Sequence, residues 1–278
     1  MRGRLAVITA VSVLLSGCAG SSQLPTFDPP QGAEAALNLW KGFPAAASPR
    51  PLVLAGPAII DPPSGFRNGA DKLAYIYGQF MVAGTLPGGS PTWHQQLLIT
   101  AARALADLRS SAPSGSSTGT TLTITGARLG TATFATDRGQ RSLPAWQFRF
   151  AGVRDVASVL AIAPANRWPT RSRPIADISD LTARIAPGGD SITIMFIGGP
   201  AEAGPCQENY QADTVQSDSA VLVAIRELPA AADQPVSSDG IAIACNLFGY
   251  QRSVTVKLSP VLGGRVLIDS SGVPLPVR

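Results

Sequence analysis

One histidine, a Gly-x-Ser-x-Gly pentapeptide, a spaced pair of aspartates and four tryptophans are the residues of this chain that could do chemistry. His94 is the only imidazole, so any triad or zinc site must use it. It sits beside Trp93, in the first turn of an expected helix, with no nucleophile near it in sequence. It reads as a surface or capping residue. Gly115-Ser116-Ser117-Thr118-Gly119 matches the serine-hydrolase pattern, which needs a strained turn between strand and helix and a later histidine. Here it lies in a low-complexity connector and no histidine follows. Asp177 and Asp180, three apart, would share a helix face, and a glycosidase needs two carboxylates across a cleft. The tryptophans are Trp40, Trp93, Trp146 and Trp168. Trp146 alternates with phenylalanines and reads as core. Trp168, among Pro and Arg, is the candidate for an exposed ligand contact. No catalytic residue and no metal ligand is nominated.

Three cysteines remain: Cys18, Cys206 and Cys245. Met1–Arg4 carries two positive charges, residues 5–15 form an apolar run, and Leu15-Ser16-Gly17-Cys18 follows at once. This is the layout of a secretory signal. Eleven helical residues rise about 16 Å, too short to cross a bilayer. Leu-Ser-Gly-Cys resembles the lipobox of bacterial lipoproteins. The resemblance implies diacylglyceryl transfer to the Cys18 thiol, cleavage before Cys18, and fatty acylation that anchors the chain on the extracytoplasmic face of the cell membrane. With Cys18 so used, Cys206 and Cys245 are an even pair outside the reducing cytoplasm, and a disulfide is the simplest reading. A zinc or redox site fits less well. There is no Cys-x-x-Cys, and one histidine cannot complete a zinc tetrad.

The rest of the composition agrees with a folded, exported domain. The chain has 278 residues, 45% hydrophobic and 14% charged, with 28 Gly and 24 Pro. That is ample for a core and reads as turn-rich and globular. The formal charge is +4. Removing residues 1–17 takes away Arg2 and Arg4 and no acid, leaving 20 basic against 18 acidic residues, or +2. Arg167, Arg171 and Arg173 are the only close cluster, so no basic stripe for nucleic acid is present. Arg outnumbers Lys 19 to 3, which reads as the mark of a GC-rich genome.

The elements that must position these residues are mainly strands. Residues 18–32 read as a tether and 33–69, with repeated Pro, as irregular. Residues 72–82 are ambiguous between strand and helix. Residues 91–109 give the clearest helix, with Ser90 as N-cap and Pro91 as first residue. From Thr120 the apolar period is two. Strands are expected around Leu122–Ile124, over 131–136, at Trp146–Phe150 and over 156–162. The turn Asp137-Arg138-Gly139 reads as a hairpin with Gly in the left-handed position. Residues 166–174 look like a linker and 176–185 like a short helix. Strands follow over 191–197, 210–215, 220–227, 241–246, 253–258 and 265–269.

The fold class is therefore α+β, mainly β, with antiparallel sheets and one clear helix. The order hints at two similar lobes, without a repeat strong enough to assert. The domains expected are a signal peptide over 1–17, a lipidated tether over 18–32, an N-terminal lobe over 33–165 and a β-rich C-terminal lobe over 175–278.

Thr136-Asp-Arg-Gly139 followed by Leu143-Pro-Ala-Trp146 resembles a segment of exported actinobacterial lipoproteins. So does Cys206 with Tyr210 and residues 217–220, together with Cys245, Gly263-Gly-Arg265 and Asp269. No established activity accompanies this resemblance, so it supplies no catalytic residues. The function expected is a cell-envelope lipoprotein, a non-enzymatic binding or accessory module without cofactor. Its partners would be the membrane, through the lipid, and a cell-wall component, small ligand or envelope protein. The competing class is a carboxylate-dependent hydrolase of wall polymer. A concave pocket lined by an acidic pair would favour the enzyme.

Overall fold

The computed structural model describes residues 30–62, 65–83, 120–170, 181–202, 206–228, 245 and 248–278. The signal and tether as far as residue 29, the helix expected over 91–109, His94, the Gly-Ser-Ser-Thr-Gly connector, Asp177 and Asp180 lie outside them. What is described is mainly β, with antiparallel and mixed sheets and one helix of more than two turns.

The first sheet is built on a long hairpin. Strands β3 (Leu122–Thr136) and β4 (Gly139–Phe150) pair antiparallel over nearly their full length. Gly139 closes the turn at φ 100°, a conformation that a Cβ would oppose. Thr136 Oγ1 donates to Gly139 O at 2.7 Å and accepts from Arg138 N at 3.1 Å. β5 (Ala157–Leu160) joins β4, and the two-residue β1 (Ile59–Ile60) joins β5. β2 (Phe80–Val82) runs parallel to β3, giving the order β1-β5-β4-β3-β2.

The segment ambiguous in sequence holds both structures. α2 (Gly69–Ile76) comes first, capped by Asn68 Oδ1 accepting from Asp71 N, and β2 follows after a turn. The helix drops Tyr75 onto Leu122, Ile124, Phe148 and Phe150. As expected from the alternation, Phe148 and Phe150 are buried, and Trp146 packs half-buried against the same cluster. Before α2, a six-residue helix α1 (Ala33–Asn38) interrupts the stretch expected to be irregular. It has no side-chain cap, and what holds it is burial of Ala33 and Ala36.

Tyr75 is 1% exposed, and its hydroxyl donates to Asp61 Oδ1 at 3.1 Å. Burial pushes its phenol well above the ordinary tyrosine range. The sign follows from linkage. The folded phenol keeps its proton where the unfolded one loses it, so this contribution is full below about pH 10 and is lost as pH rises beyond it. Urea midpoints should fall between pH 9 and pH 11, and fall less in Tyr75→Phe. Equal alkaline losses in the two proteins would contradict this.

The C-terminal half is a sandwich of two three-stranded sheets. One has the order β10-β7-β6: β6 (Thr182–Ile185), β7 (Ser191–Gly198) and β10 (Tyr250–Lys257) are all antiparallel. The other has the order β11-β9-β8. There β8 (Asn209–Gln216) is antiparallel to β9 (Ala220–Leu228), and β11 (Val266–Ile268) is parallel to it. Ile192 and Ile194 of the first face Val221, Val223 and Leu267 of the second. On β10, Val254 and Val256 face this core while Ser253, Thr255 and Lys257 face solvent, as the period of two requires.

The helix expected over 176–185 is corrected for its described part, since Thr182–Ile185 is strand β6. Its Ala183 is fully buried, pairs with Ile194, and exchanges backbone hydrogen bonds with Pro276 and Arg278. Sheet pairing outweighs a weak local helical signal. Of the strand expected over 241–246, only Cys245 is described.

β9 and β11 are covered on both faces, which is why Ala220–Val223 and Val266–Ile268 read as unbroken apolar runs. Their second face carries Ala33, Ala36, Trp40, Phe43 and Val53. The chain thus lays residues 33–53 on the C-terminal sandwich before it enters the first sheet. Trp40 Nε1 donates to Gly272 O at 2.9 Å and fixes that docking.

Candidate functional site

Three segments far apart in sequence meet where the first sheet abuts the sandwich. They are the Pro-rich extended segment 49–54, the hairpin turn 136–139 and the loop 260–265. Leu54 bridges to Thr136, and Asp137 N donates to Val53 O at 3.2 Å. Arg50 is the connector. Its Nε donates to Gly264 O at 2.8 Å and its Nη1 to Asp137 Oδ1 at 3.2 Å, and its Nη2 holds Asp137 Oδ2. The guanidinium also lies 4.7 Å from the centre of the Phe43 ring, a favourable cation–π distance. Gly264 is required by closeness rather than by φ, because a Cβ there would run into the backbone oxygen of Ala45.

Arg138 continues the junction. Its Nη2 donates to Gly263 O at 2.7 Å and to Arg265 O at 2.8 Å. Burial lowers its pKa most, Asp137 opposes that and Arg50 adds to it. The guanidinium stays charged, but it is held in a place that already contains more positive than negative charge. Arg265, beneath it, is 8% exposed and gives all its donors to loop carbonyls and Gln216.

A cleft of about 620 Å³ opens on this junction. Arg50, Asp137, Arg138 and Arg141 supply its charge, and Leu52, Leu143 and Ile162 are among its apolar walls. Asp137, its one acid among the described residues, is taken up by Arg50. A smaller cleft of about 370 Å³, beside Lys41 and Phe43, also has a single acid, Asp218. Neither of these two clefts presents the converging acidic pair that a glycosidase would use. Among the described residues, no three His, Cys, Asp or Glu side chains are grouped to hold a metal ion. Nor is any described helix long and apolar enough to cross a membrane.

The residues singled out from sequence lie elsewhere or at the rim of this arrangement. Trp168 is half-buried, stacked on Trp40 at 6.4 Å and edge-on to Phe43 at 5.2 Å. Its backbone N donates to Leu52 O at 2.8 Å, so the expected linker begins as a strand-like partner of the 49–54 segment. Cys206 and Cys245 are disulfide-bonded, with Cα atoms 5.5 Å apart. Cys18 lies outside the described residues. Of the motifs noted for their resemblance, Thr136-Asp-Arg-Gly139 and Gly263-Gly-Arg265 prove to be neighbours, joined by Arg138. Arg50 and Arg141 carry no motif. The one signal for them is the excess of Arg over Lys.

Compared with protein-family models, curated proteins and solved structures, the chain gives no significant match.

Proposed function

We propose that the chain is an exported lipoprotein, anchored through Cys18 to the outer face of the cell membrane, and that its folded part is a binding or accessory module of the envelope. The address rests on Leu15-Ser16-Gly17-Cys18 directly behind the apolar run of residues 5–15. The Cys206–Cys245 bond supports it, because such bonds persist outside the reducing cytoplasm. The observation that carries the binding reading is the state of Asp137. The only carboxylate that the described residues bring to the larger cleft is locked in a two-pronged ion pair, which leaves guanidinium and apolar surface to meet a ligand. A small envelope component or a protein partner is the occupant such a module would take.

Export of the wild type and of Cys18→Ala from a bacterial host tests the anchor. Intact mass should show wild-type Cys18 acylated at the new N-terminus, with the protein in the membrane fraction. The Ala variant should lose the acyl mass. An unmodified wild-type Cys18 would sink the assignment. Incubation with purified wall polymer tests the other half, and no soluble fragment should be released. Release that persists in homogeneous protein would make it a hydrolase.

A further inference from the structure

We infer that the junction cleft binds a small organic acid, its carboxylate held by Arg138 and Arg141 and its apolar body lying against Leu52, Leu143 and Ile162. This rests on reading the folded part as a binding module and is independent of the anchor at Cys18.

Charge is the first ground. Among the described residues, the cleft is lined by three guanidinium groups, Arg50, Arg138 and Arg141, and one carboxylate, Asp137, a balance of three positive to one negative, or +2. Asp137 is spent on Arg50 through both oxygens. Arg138 has no carboxylate of its own. It is half-buried, and the carbonyls of Gly263 and Arg265 engage only Nη2. Among the described residues, its Nε and Nη1 donate to nothing. A half-buried cation that must share its neighbouring carboxylate with Arg50 is under-compensated, and an oxyanion in the cleft would offset that cost. Arg141 lies exposed on β4, one strand turn beyond the hairpin, with no hydrogen bond to a described residue, so its whole fork is available. Guanidinium groups suit carboxylate and phosphate oxygens because their planar donors match the acceptor geometry.

Size and lining settle the rest of the ligand. A volume of about 620 Å³ falls within the range of about 300–1,000 Å³ typical of small-molecule sites. Apart from Thr136 and Asn166, the walls beside the charged groups are aliphatic and proline side chains, which favour an apolar body over a sugar or a free inorganic anion. The cleft is a local depression rather than a basic stripe, which argues against a polyanion.

Four probes test this on the whole mature protein, exported and purified in non-ionic detergent. They are octanoate, octanamide, acetate and inorganic phosphate, each followed by titration calorimetry. Octanoate should bind at one saturable site, at least about tenfold tighter than any of the other three. Octanamide keeps the chain without the charge, acetate the charge without the chain, and phosphate stands for a free anion. Arg141→Met should weaken octanoate binding by about tenfold or more with an unchanged unfolding midpoint, since the side chain is exposed and unbonded. Ile162→Glu, which sets a negative charge in the wall, should weaken octanoate binding as much, with some loss of stability because Ile162 packs against the cluster of Leu143 and Leu160. Arg128→Met, bonded to Gln147 on the same hairpin but not lining the cleft, should bind as the wild type does. Octanamide matching octanoate, acetate or phosphate matching octanoate, no saturable binding, or unchanged binding in Arg141→Met would each overturn the inference. The same preparation is weighed for acylation at Cys18. A failed titration on acylated protein therefore removes the cleft ligand and leaves the anchor standing.

Discussion

Asp137→Ala should cost the fold about 3 kcal/mol, the low end of the range for stripping one partner from a buried ion pair. Asp137 is 1% exposed, and the Arg50 side chain retains 18%. That remaining solvent contact keeps the loss off the upper end. The substitution strands Arg50 and deprives Arg138 of the nearest negative charge, so two half-buried cations are left facing each other. In a domain of this size the thermal midpoint should drop by about 6–12 °C. Removing both charges should be milder. Arg50→Met with Asp137→Ala leaves no orphan charge from the pair, although Gly264 O loses its donor. Urea denaturation of the oxidised protein decides it. A single-variant loss under about 1 kcal/mol, or a double variant no better than the single, would mean that the pair is solvated and does not hold the hairpin turn to the 49–54 segment.

The elements built on alternation were legible in the sequence, and the junction was not. β7, β9 and β10 are each predicted to within a few residues, because one-sided or two-sided burial writes itself into the apolar pattern. The hairpin turn was legible because Gly139 has a conformational job. Thr182–Ile185 was misread because its strand identity depends on Ile194 and on the chain end at Pro276 and Arg278, neither of which is local. The site suffers more from the same cause. Arg50 lies among prolines with no period to mark it, and its partners are 87 and 214 positions away. Arg138 reaches 127 positions to Arg265. A single sequence carries no local trace of such pairings. The two motifs signalled that their residues mattered, but not that they touch.

Arg265→Ala should be the more damaging change, at about 4 kcal/mol, because no other described side chain holds so much backbone. Its guanidinium has five N–H donors, and all five are used. Nε donates to Leu262 O at 3.2 Å. Nη1 donates to Gln216 Oε1 at 2.9 Å and Ser217 O at 3.4 Å. Nη2 donates to Pro260 O at 2.7 Å and Val261 O at 2.8 Å. The carbonyl acceptors sit on the two loops that lead into β9 and β11, a buried parallel pair, and Gln216 is the last residue of β8. Truncation leaves four loop carbonyls and an amide oxygen without this donor where little water reaches, at about 1–3 kcal/mol for each one that stays unsatisfied. Relaxation and water entry will recover part of that, and the terms are not additive, which is why the expected total is far below the sum. Losses of this size are rare and need a named mechanism. For Arg265 it is the collapse of a buried hydrogen-bond network. Lysine is the informative comparison. It keeps the charge but has three donors on a single nitrogen and cannot span both loops, so Arg265→Lys should still lose about 2 kcal/mol, the cost of leaving one or two acceptors open. Denaturant midpoints of the two variants give the answer. If Lys restores stability to within about 0.5 kcal/mol of wild type, then the loops need only a positive charge, and the planar fork of Arg265 is not what clamps them together.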